Sequence, residues 1–187
     1  MKAKTAPPFR LPLRLFCAAA LALTGGPLAS SQTPRARASG PAPCTAPEHR
    51  QFDFWLGDWD TFESGAPDKV VARNRVDSIL GGCVLREVYE QGDGLTGQSF
   101  TIYDAARKVW HQSWVTNRGQ LLVLEGGMRG GRMVLTSTER AADGRPELVR
   151  GVWVRVEGGV RETAETSDDG GRTWRPLFDM VFRPHRP

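Results

Sequence analysis

Polar side chains alternate with aromatic and aliphatic ones in three segments of the chain. In an extended strand, side chains two positions apart point to the same side, so each segment has one side that combines apolar surface with a few hydrogen-bonding groups. That combination is typical of a site that binds a small molecule. The sides in question carry Leu85, Glu87 and Tyr89; Ser99, Thr101 and Tyr103; and Trp110, Gln112 and Trp114.

If these sides line the interior of a barrel, they form a pocket in which polar groups lie among indole rings. Arg150 and Glu165 could add an inward ion pair or a charge that reads the ligand. The predicted ligand-binding residues are therefore Glu87, Tyr89, Ser99, Tyr103, Trp110, Gln112, Trp114, Arg150 and Glu165. The alternative is a filled core in which these polar side chains bond one another, which describes a structural or interaction module acting through its surface.

Signatures of catalysis and of metal binding are absent from the sequence. The histidines, His49, His111 and His185, are scattered, and no nucleophile elbow, HExxH or CxxC motif accompanies them. We therefore predict no catalytic residue, no metal site and no cofactor. A third hypothesis is an enzyme with its site in such a barrel that uses Glu87, His111 or Glu165 as its acid or base.

One turn has a specific pattern. The segment SDDGGRTW, from Ser167 to Trp174, fits the Asp-box signature S-x-D-x-G-x-T-W, which resembles the hairpins of sialidase-type propellers. Asp169 is expected to accept backbone N–H groups across such a turn while Trp174 packs beneath it. The motif is structural in those propellers and occurs once here, so it predicts a hairpin and not glycosidase chemistry.

The elements that must position these residues are strands. Turn residues, mostly glycine with Asn or Asp, separate runs rich in apolar and β-branched residues, and no long 3.6-residue period follows Glu48. About ten strands at short intervals favour an all-β, antiparallel up-and-down barrel, because closure removes exposed edges; a β-sandwich is the alternative. The runs are one after Trp59 and then Val70–Leu80, Cys83–Tyr89, Gly97–Tyr103, Lys108–Val115, Leu121–Leu124, Arg132–Ser137, Leu148–Val154, Val160–Glu165 and Thr173–Phe182. Phe52, Trp55 and Trp59 are spaced as in a short helical turn before the barrel.

The N-terminal part predicts export. Residues 1–31 combine a basic start, a short apolar run from Leu15 to Leu23 and a small-residue end, which together are typical of a signal peptide. The apolar run is too short for a permanent membrane anchor. Residues 32–47 are rich in Pro, Ala and small polar residues and are expected to form a disordered linker, which leaves 48–187 as the barrel domain.

Charge and cysteine usage narrow the partners and the compartment. The chain has a net charge of +4, and the leader supplies Lys2, Lys4, Arg10 and Arg14, so residues 32–187 sum to about zero. No basic stripe remains for phosphate contacts, so we predict no nucleic-acid partner. Cys44 and Cys83 are the cysteines that follow the leader, and an exported pair is expected to form a disulfide in a periplasmic or secreted protein. The oligomeric state stays open.

Five segments resemble an uncharacterised family of exported bacterial proteins. They are FDFWLGDWD after Cys44, GGCVLREVY, YDAARKVWHQSWV, LEGGMRGGRMVL and SDDGGRTW, and the resemblance spans Cys44 to Arg183. That family is similar to lipocalin-like (calycin) barrels and, more distantly, to the haem-binding nitrobindins. The resemblance thus implies export and a lipocalin-like barrel.

The haem-binding pattern of nitrobindins does not extend to this chain. Nitrobindins carry a G-x-W-x-G-x-G run near the first strand, whereas this sequence has Leu56-Gly57-Asp58-Trp59-Asp60 with no further glycine. A haem-ligating histidine is wanted inside a late strand, but His185 follows Pro184 near the C-terminus. Haem binding is therefore not predicted.

Overall fold

The computed structural model describes residues 43–141 and 143–186. The predicted signal peptide, 1–31, and residues 32–42 of the predicted linker lie outside this part, so both stay predictions. Within the described residues, no helix has the length and apolar character needed to cross a membrane.

Ten antiparallel strands close into one barrel in the described part of the chain. Each strand pairs with its neighbours in sequence, and β1 pairs with β10 to complete the ring. The predicted up-and-down barrel is confirmed, and the β-sandwich alternative was wrong. The strands are β1 (Gly57–Glu63), β2 (Val70–Ile79), β3 (Val84–Gln91), β4 (Thr96–Asp104), β5 (Val109–Thr116), β6 (Leu121–Arg129), β7 (Arg132–Arg140), β8 (Pro146–Val156), β9 (Gly159–Ser167) and β10 (Arg175–Pro184).

Glycine accounts for one difference from the expected strand bounds. The sequence predicts a turn between the runs Leu121–Leu124 and Arg132–Ser137, but β6 continues to Arg129, and within residues 126–131 only Gly130 and Gly131 adopt positive φ. Gly126 lies in the strand, where an added Cβ would lie 2.0 Å from the carbonyl oxygen of Val134. Its absent side chain therefore permits close backbone approach within the sheet, which a sequence pattern does not separate from a turn.

The N-terminal segment, residues 47–56, closes one end of the barrel. It contains two 3₁₀ turns, Pro47–Arg50 and Asp53–Trp55, which matches the expected helical turn except that Trp59 already belongs to β1. Phe52 is fully buried, and its ring contacts the inward-facing rings of Trp110 and Trp153 at centroid distances of 5.8 and 5.5 Å. These aromatic contacts fill this end, which we call the closed end.

A disulfide fixes the closed end, as predicted. Cys44 and Cys83 are bonded, with their Cα atoms 5.1 Å apart, and so tie the start of the described chain to the start of β3. The Arg50 guanidinium adds a hydrogen bond to the carbonyl oxygen of Gly82 in the neighbouring 3₁₀ turn, Leu80–Gly82. The N-terminal segment is thus attached covalently beside the rings it covers.

Candidate ligand-binding cavity

A cavity of about 650 Å³ occupies the barrel from its middle to the end opposite the closed end, which we call the open end. This volume lies within the usual range of small-molecule pockets, about 300–1,000 Å³. Its deeper walls are formed by inward-facing residues of strands β3, β5, β6, β8, β9 and β10. They include Glu87, Tyr89, Gln112, Trp114, Leu122, Leu124, Val149, Gly151, Trp153, Glu162, Ala164, Thr166, Met180 and Phe182.

Two tryptophans of the cavity wall lie flat over glycines. An added Cβ at Gly97 would lie 2.3 Å from the Trp114 ring, and one at Gly151 would lie 2.7 Å from the Trp153 ring. The glycines therefore leave room for each indole to lie against the wall and not project across the lumen. Trp114 also meets the Tyr89 ring edge-on, with centroids 6.0 Å apart, so that aromatic surface covers one side of the cavity.

Glu87 is the centre of a polar network at mid-depth. Its side chain is 8% exposed, and its two carboxyl oxygens each accept one hydrogen bond, from Asn74 Nδ2 at 3.0 Å and from Ser99 Oγ at 2.8 Å. Burial raises the pKa of Glu87, and the hydrogen bonds from Ser99 and Asn74 offset that rise in part. Both carboxyl oxygens of Glu87 are therefore already hydrogen-bonded within the protein.

Gln112 extends this network along β5. Its Nε2 donates to Thr101 Oγ1 at 3.0 Å and lies 3.5 Å from Ser99 Oγ. The amide N–H groups are thereby directed into the wall of β4, and the Gln112 side chain reaches the cavity surface. The polar groups between Glu87 and Thr101 form a continuous hydrogen-bonded layer across β3, β4 and β5.

Glu162 enters the same cavity from β9. Its side chain is enclosed by the barrel, and the surface that stays accessible faces the cavity. Burial raises its pKa well above the ordinary value, and the nearby charge of Glu87 raises it further. The Trp153 indole N–H lies close enough to offset this rise in part, yet Trp153 Nε1 is buried without a hydrogen bond of normal geometry.

Acidic side chains dominate the electrostatics of the cavity. Burial raises the pKa of Tyr89 above its ordinary value, and the carboxyl groups of Glu162 and Glu87 add to this rise.

The charged groups at the open end of the cavity have partners within the protein. Arg140 donates to the carbonyl oxygen of Gly144 at 3.0 Å, and Glu147 pairs with Arg175 at 3.2 Å.

The structure separates the predicted site residues into four groups, three inside the barrel and a fourth on its outer surface. Glu87, Tyr89, Gln112 and Trp114 line the cavity. Ser99 is buried behind Glu87 and acts through its hydrogen bond. Trp110 and Tyr103 face inward but pack at the closed end, where Trp110 is 1% exposed and donates to Gln51 Oε1 at 3.1 Å.

Arg150 and Glu165 lie on the outer surface, contrary to the expected inward placement. They pair with each other as cross-strand neighbours, Arg150 Nε donating to Glu165 Oε2 at 3.1 Å. The alternation of β8 places Val149 and Gly151 in the lumen, so Arg150 between them points outward. Its guanidinium lies 3.8 Å above the Trp174 ring.

The expected Asp-box geometry is confirmed. Asp169 Oδ1 accepts the backbone N–H groups of Arg172 and Thr173, both at 2.9 Å. The Trp174 indole N–H closes the turn onto the Gly171 carbonyl oxygen at 3.0 Å. The motif thus builds the β9–β10 hairpin and supplies the ring on which Arg150 rests.

The histidines lie outside the cavity. His111 is on the outer face of β5, with Nδ1 3.1 Å from Glu125 Oε1 and Nε2 3.2 Å from Ser113 Oγ. His185 Nδ1 lies 2.9 Å from Asp60 Oδ1, and the His49 ring packs edge-on against Tyr103. His111 is therefore not placed to act on a ligand in the lumen. In the described residues, no group of three or more His, Cys, Asp or Glu is arranged to hold a metal ion.

Glu162 and Asn74 are the site residues that sequence reasoning missed. In β9 the side that holds Glu162 also holds Val160 and Ala164, whereas the opposite side is polar throughout. In β2, Asn74 likewise alternates with charged residues that face solvent. Choosing the less polar side of each strand as the inner one identifies both residues.

Comparison with known proteins gives no assignment for this chain. No protein-family model matches it, and no curated protein matches it at a significant level.

Proposed function

We propose that this protein is an exported barrel that binds a small ligand of mixed polarity in its lumen. The observation that carries the proposal is the cavity of about 650 Å³, with aromatic and aliphatic walls and a polar layer at Glu87, Gln112 and Glu162. A filled core, the alternative that the sequence left open, has no need for such a space. The Cys44–Cys83 disulfide is compatible with an oxidising compartment.

Occupying the lumen with a side chain tests this function. Ala164 is 4% exposed and faces the cavity, while the next residue toward the N-terminus, Thr163, faces outward beside Arg150 and Glu165. We expect Ala164→Phe to abolish binding of N-phenyl-1-naphthylamine, a neutral fluorescent probe small enough for the cavity. The matched variant Thr163→Phe adds the same ring on the outer face and should bind the probe as the unmodified protein does.

Two results contradict the proposal. One is an unmodified protein that shows no increase in probe fluorescence, and the other is equal probe affinity in both phenylalanine variants. Native mass spectrometry of the protein purified from its natural host provides an independent test, since a co-purifying small molecule identifies the bound compound directly.

A second candidate is acid–base catalysis in the same lumen. It is favoured by one observation, the raised pKa of the carboxyl groups of Glu87 and Glu162 inside a cavity. Comparing the compounds that co-purify with the unmodified protein and with Glu87→Gln distinguishes catalysis from binding. An enzyme that has lost its acid or base retains substrate in place of product, so the bound mass changes, whereas a binding protein retains the same compound.

A further inference from the structure

The amide N–H groups of the polar layer are used within the wall of the barrel. Both Gln112 N–H groups are directed toward Ser99 and Thr101, and the Asn74 amide N–H is directed toward Glu87. Asn74 Oδ1 lacks a partner as well, but it is fully buried and does not line the cavity. A ligand head that donates hydrogen bonds therefore meets no competing amide N–H from Gln112 or Asn74.

Glu162 is the member of this layer with capacity to spare. The two oxygens of Glu87 are already bonded to Asn74 and Ser99, whereas no side chain in the described residues gives Glu162 a hydrogen bond of normal geometry or an ion pair. Beside Glu162, the buried Trp153 indole N–H also lacks a partner. Glu162 lines the cavity and is partly exposed, so a bound ligand can reach its side chain.

No cationic side chain in the described part of the chain is paired with Glu162. The groups around it are Glu87 and Tyr89 from β3, Trp153 from β8 and Met180 from β10. Among the described residues that line the cavity, the cationic side chain is Arg140, which lies at the open end with the acids Glu139 and Glu147 and donates to the Gly144 carbonyl. The neighbouring Arg161 points outward and pairs with Asp179.

We infer that the ligand carries a protonated amine on an apolar body and that Glu162 is the anchor for this amine. The inference rests on the proposed binding function and names the class of ligand. At a pH below the raised pKa of Glu162, its carboxyl group holds a proton in the empty cavity. When the ammonium group enters, the O–H bond of Glu162 breaks, the proton leaves to solvent, and the ammonium N–H donates to the carboxylate, so one proton is released per ligand bound.

A matched ligand series tests the head group without altering the protein. The compounds are 4-phenylbutylamine, 4-phenylbutan-1-ol and 5-phenylpentanoate, which share one phenylbutyl tail. A charge-assisted hydrogen bond predicts that the amine binds at least about tenfold more tightly than the alcohol, and the carboxylate should bind most weakly. Isothermal titration in two buffers of different ionisation enthalpy measures proton release, and amine affinity should increase as pH rises toward the pKa of Glu162 in the empty protein.

Glu162→Gln removes the charge and keeps the shape of the side chain. We expect it to reduce the affinity for the amine about tenfold or more and to abolish proton release, while the affinity for the alcohol stays unchanged. Glu90→Gln makes the same change on the exposed side of β3 and should alter nothing. Equal affinity for amine and alcohol, or an amine preference that survives Glu162→Gln, overturns the inference while the binding function stands. Failure of every compound and of N-phenyl-1-naphthylamine to bind overturns both.

Discussion

The carboxyl groups of Glu87 and Glu162 share one cavity although their strands, β3 and β9, do not pair with each other. Glu87 lies in the buried polar layer with Asn74 and Ser99, and its charge raises the pKa of Glu162 across the lumen. Burial opposes ionisation of both groups, and ionisation of one further opposes that of the other. The barrel therefore holds two acids in positions that favour their neutral forms.

The stability of the protein should decrease as pH rises because of Glu162. Its pKa is raised well above the ordinary value of 4.5, so between that value and the folded-state pKa the folded protein holds a proton that the unfolded chain has released. The free energy of unfolding contributed by this group then falls by up to about 1.4 kcal/mol per pH unit across that window. It is fully retained below pH 4.5.

Urea denaturation of Glu162→Gln and the unmodified protein at several pH values measures this contribution. The difference in unfolding free energy should shift in favour of the variant as pH increases, because the variant has no proton to lose. Glu90→Gln, on the exposed side of β3, should give a difference that does not depend on pH. A difference for Glu162→Gln that is equally flat would contradict the raised pKa.

The disulfide should contribute about 3–4 kcal/mol to stability. It closes a loop with a sequence separation of 39 residues, and loss of loop-closure entropy in the unfolded chain predicts a contribution of this size. The double variant Cys44→Ser, Cys83→Ser should therefore unfold at lower urea concentration. Reduction of the unmodified protein with dithiothreitol should produce the same decrease and should leave the double variant unaffected, whereas equal unfolding midpoints would contradict the prediction.

Removing the Phe52 ring should open the closed end. Phe52 is fully buried and contacts the rings of Phe54, Trp110 and Trp153, so Phe52→Ala should decrease the unfolding free energy by about 3–5 kcal/mol. Phe100 is 48% exposed on the outer face of β4, and Phe100→Ala is the matched control with a much smaller effect. Comparable losses in the two variants, measured by thermal or urea denaturation, would show that the N-terminal segment does not close the barrel.

Local sequence signals were sufficient for the fold. Turn residues between short alternating runs gave the ten strands and their connectivity, and the cysteine pair gave the disulfide. The placement of Glu165 on the inner or outer face could not be predicted from such signals. Its cross-strand partner, Arg150, was identified, but the pair was placed inside, because a phase error of one residue exchanges the two faces of a strand.

Depth within the barrel was also beyond the reach of the sequence. Trp110 and Trp114 both face inward on β5, and nothing in their spacing distinguishes them. The N-terminal segment determines which of them meets a ligand, because Phe52 and Gln51 cover Trp110 and leave Trp114 in the cavity wall. That distinction depends on a contact between residues far apart in the chain.

Gly97 should control the width of the cavity. A Cβ at this position would lie 2.3 Å from two carbon atoms of the Trp114 ring, so Gly97→Ala must displace the ring, and the open space beside it is the lumen. A ligand then shares that space with an indole. Because the ligand must displace the indole or lose part of its space, we expect the affinity for N-phenyl-1-naphthylamine to decrease about tenfold, which corresponds to about 1.4 kcal/mol of binding free energy.

Gly127→Ala provides the matched control for this prediction. Gly127 also lies within a strand, β6, but an added Cβ there meets no atom within 4 Å, and the inward position is that of its neighbour Gly126. The same substitution should therefore leave probe affinity unchanged, and it should stabilise the strand slightly because alanine loses less backbone entropy than glycine on folding. If Gly97→Ala binds the probe as tightly as Gly127→Ala does, the Trp114 indole does not form part of the binding wall, and the ligand must occupy the lumen deeper, beside Glu87 and Glu162.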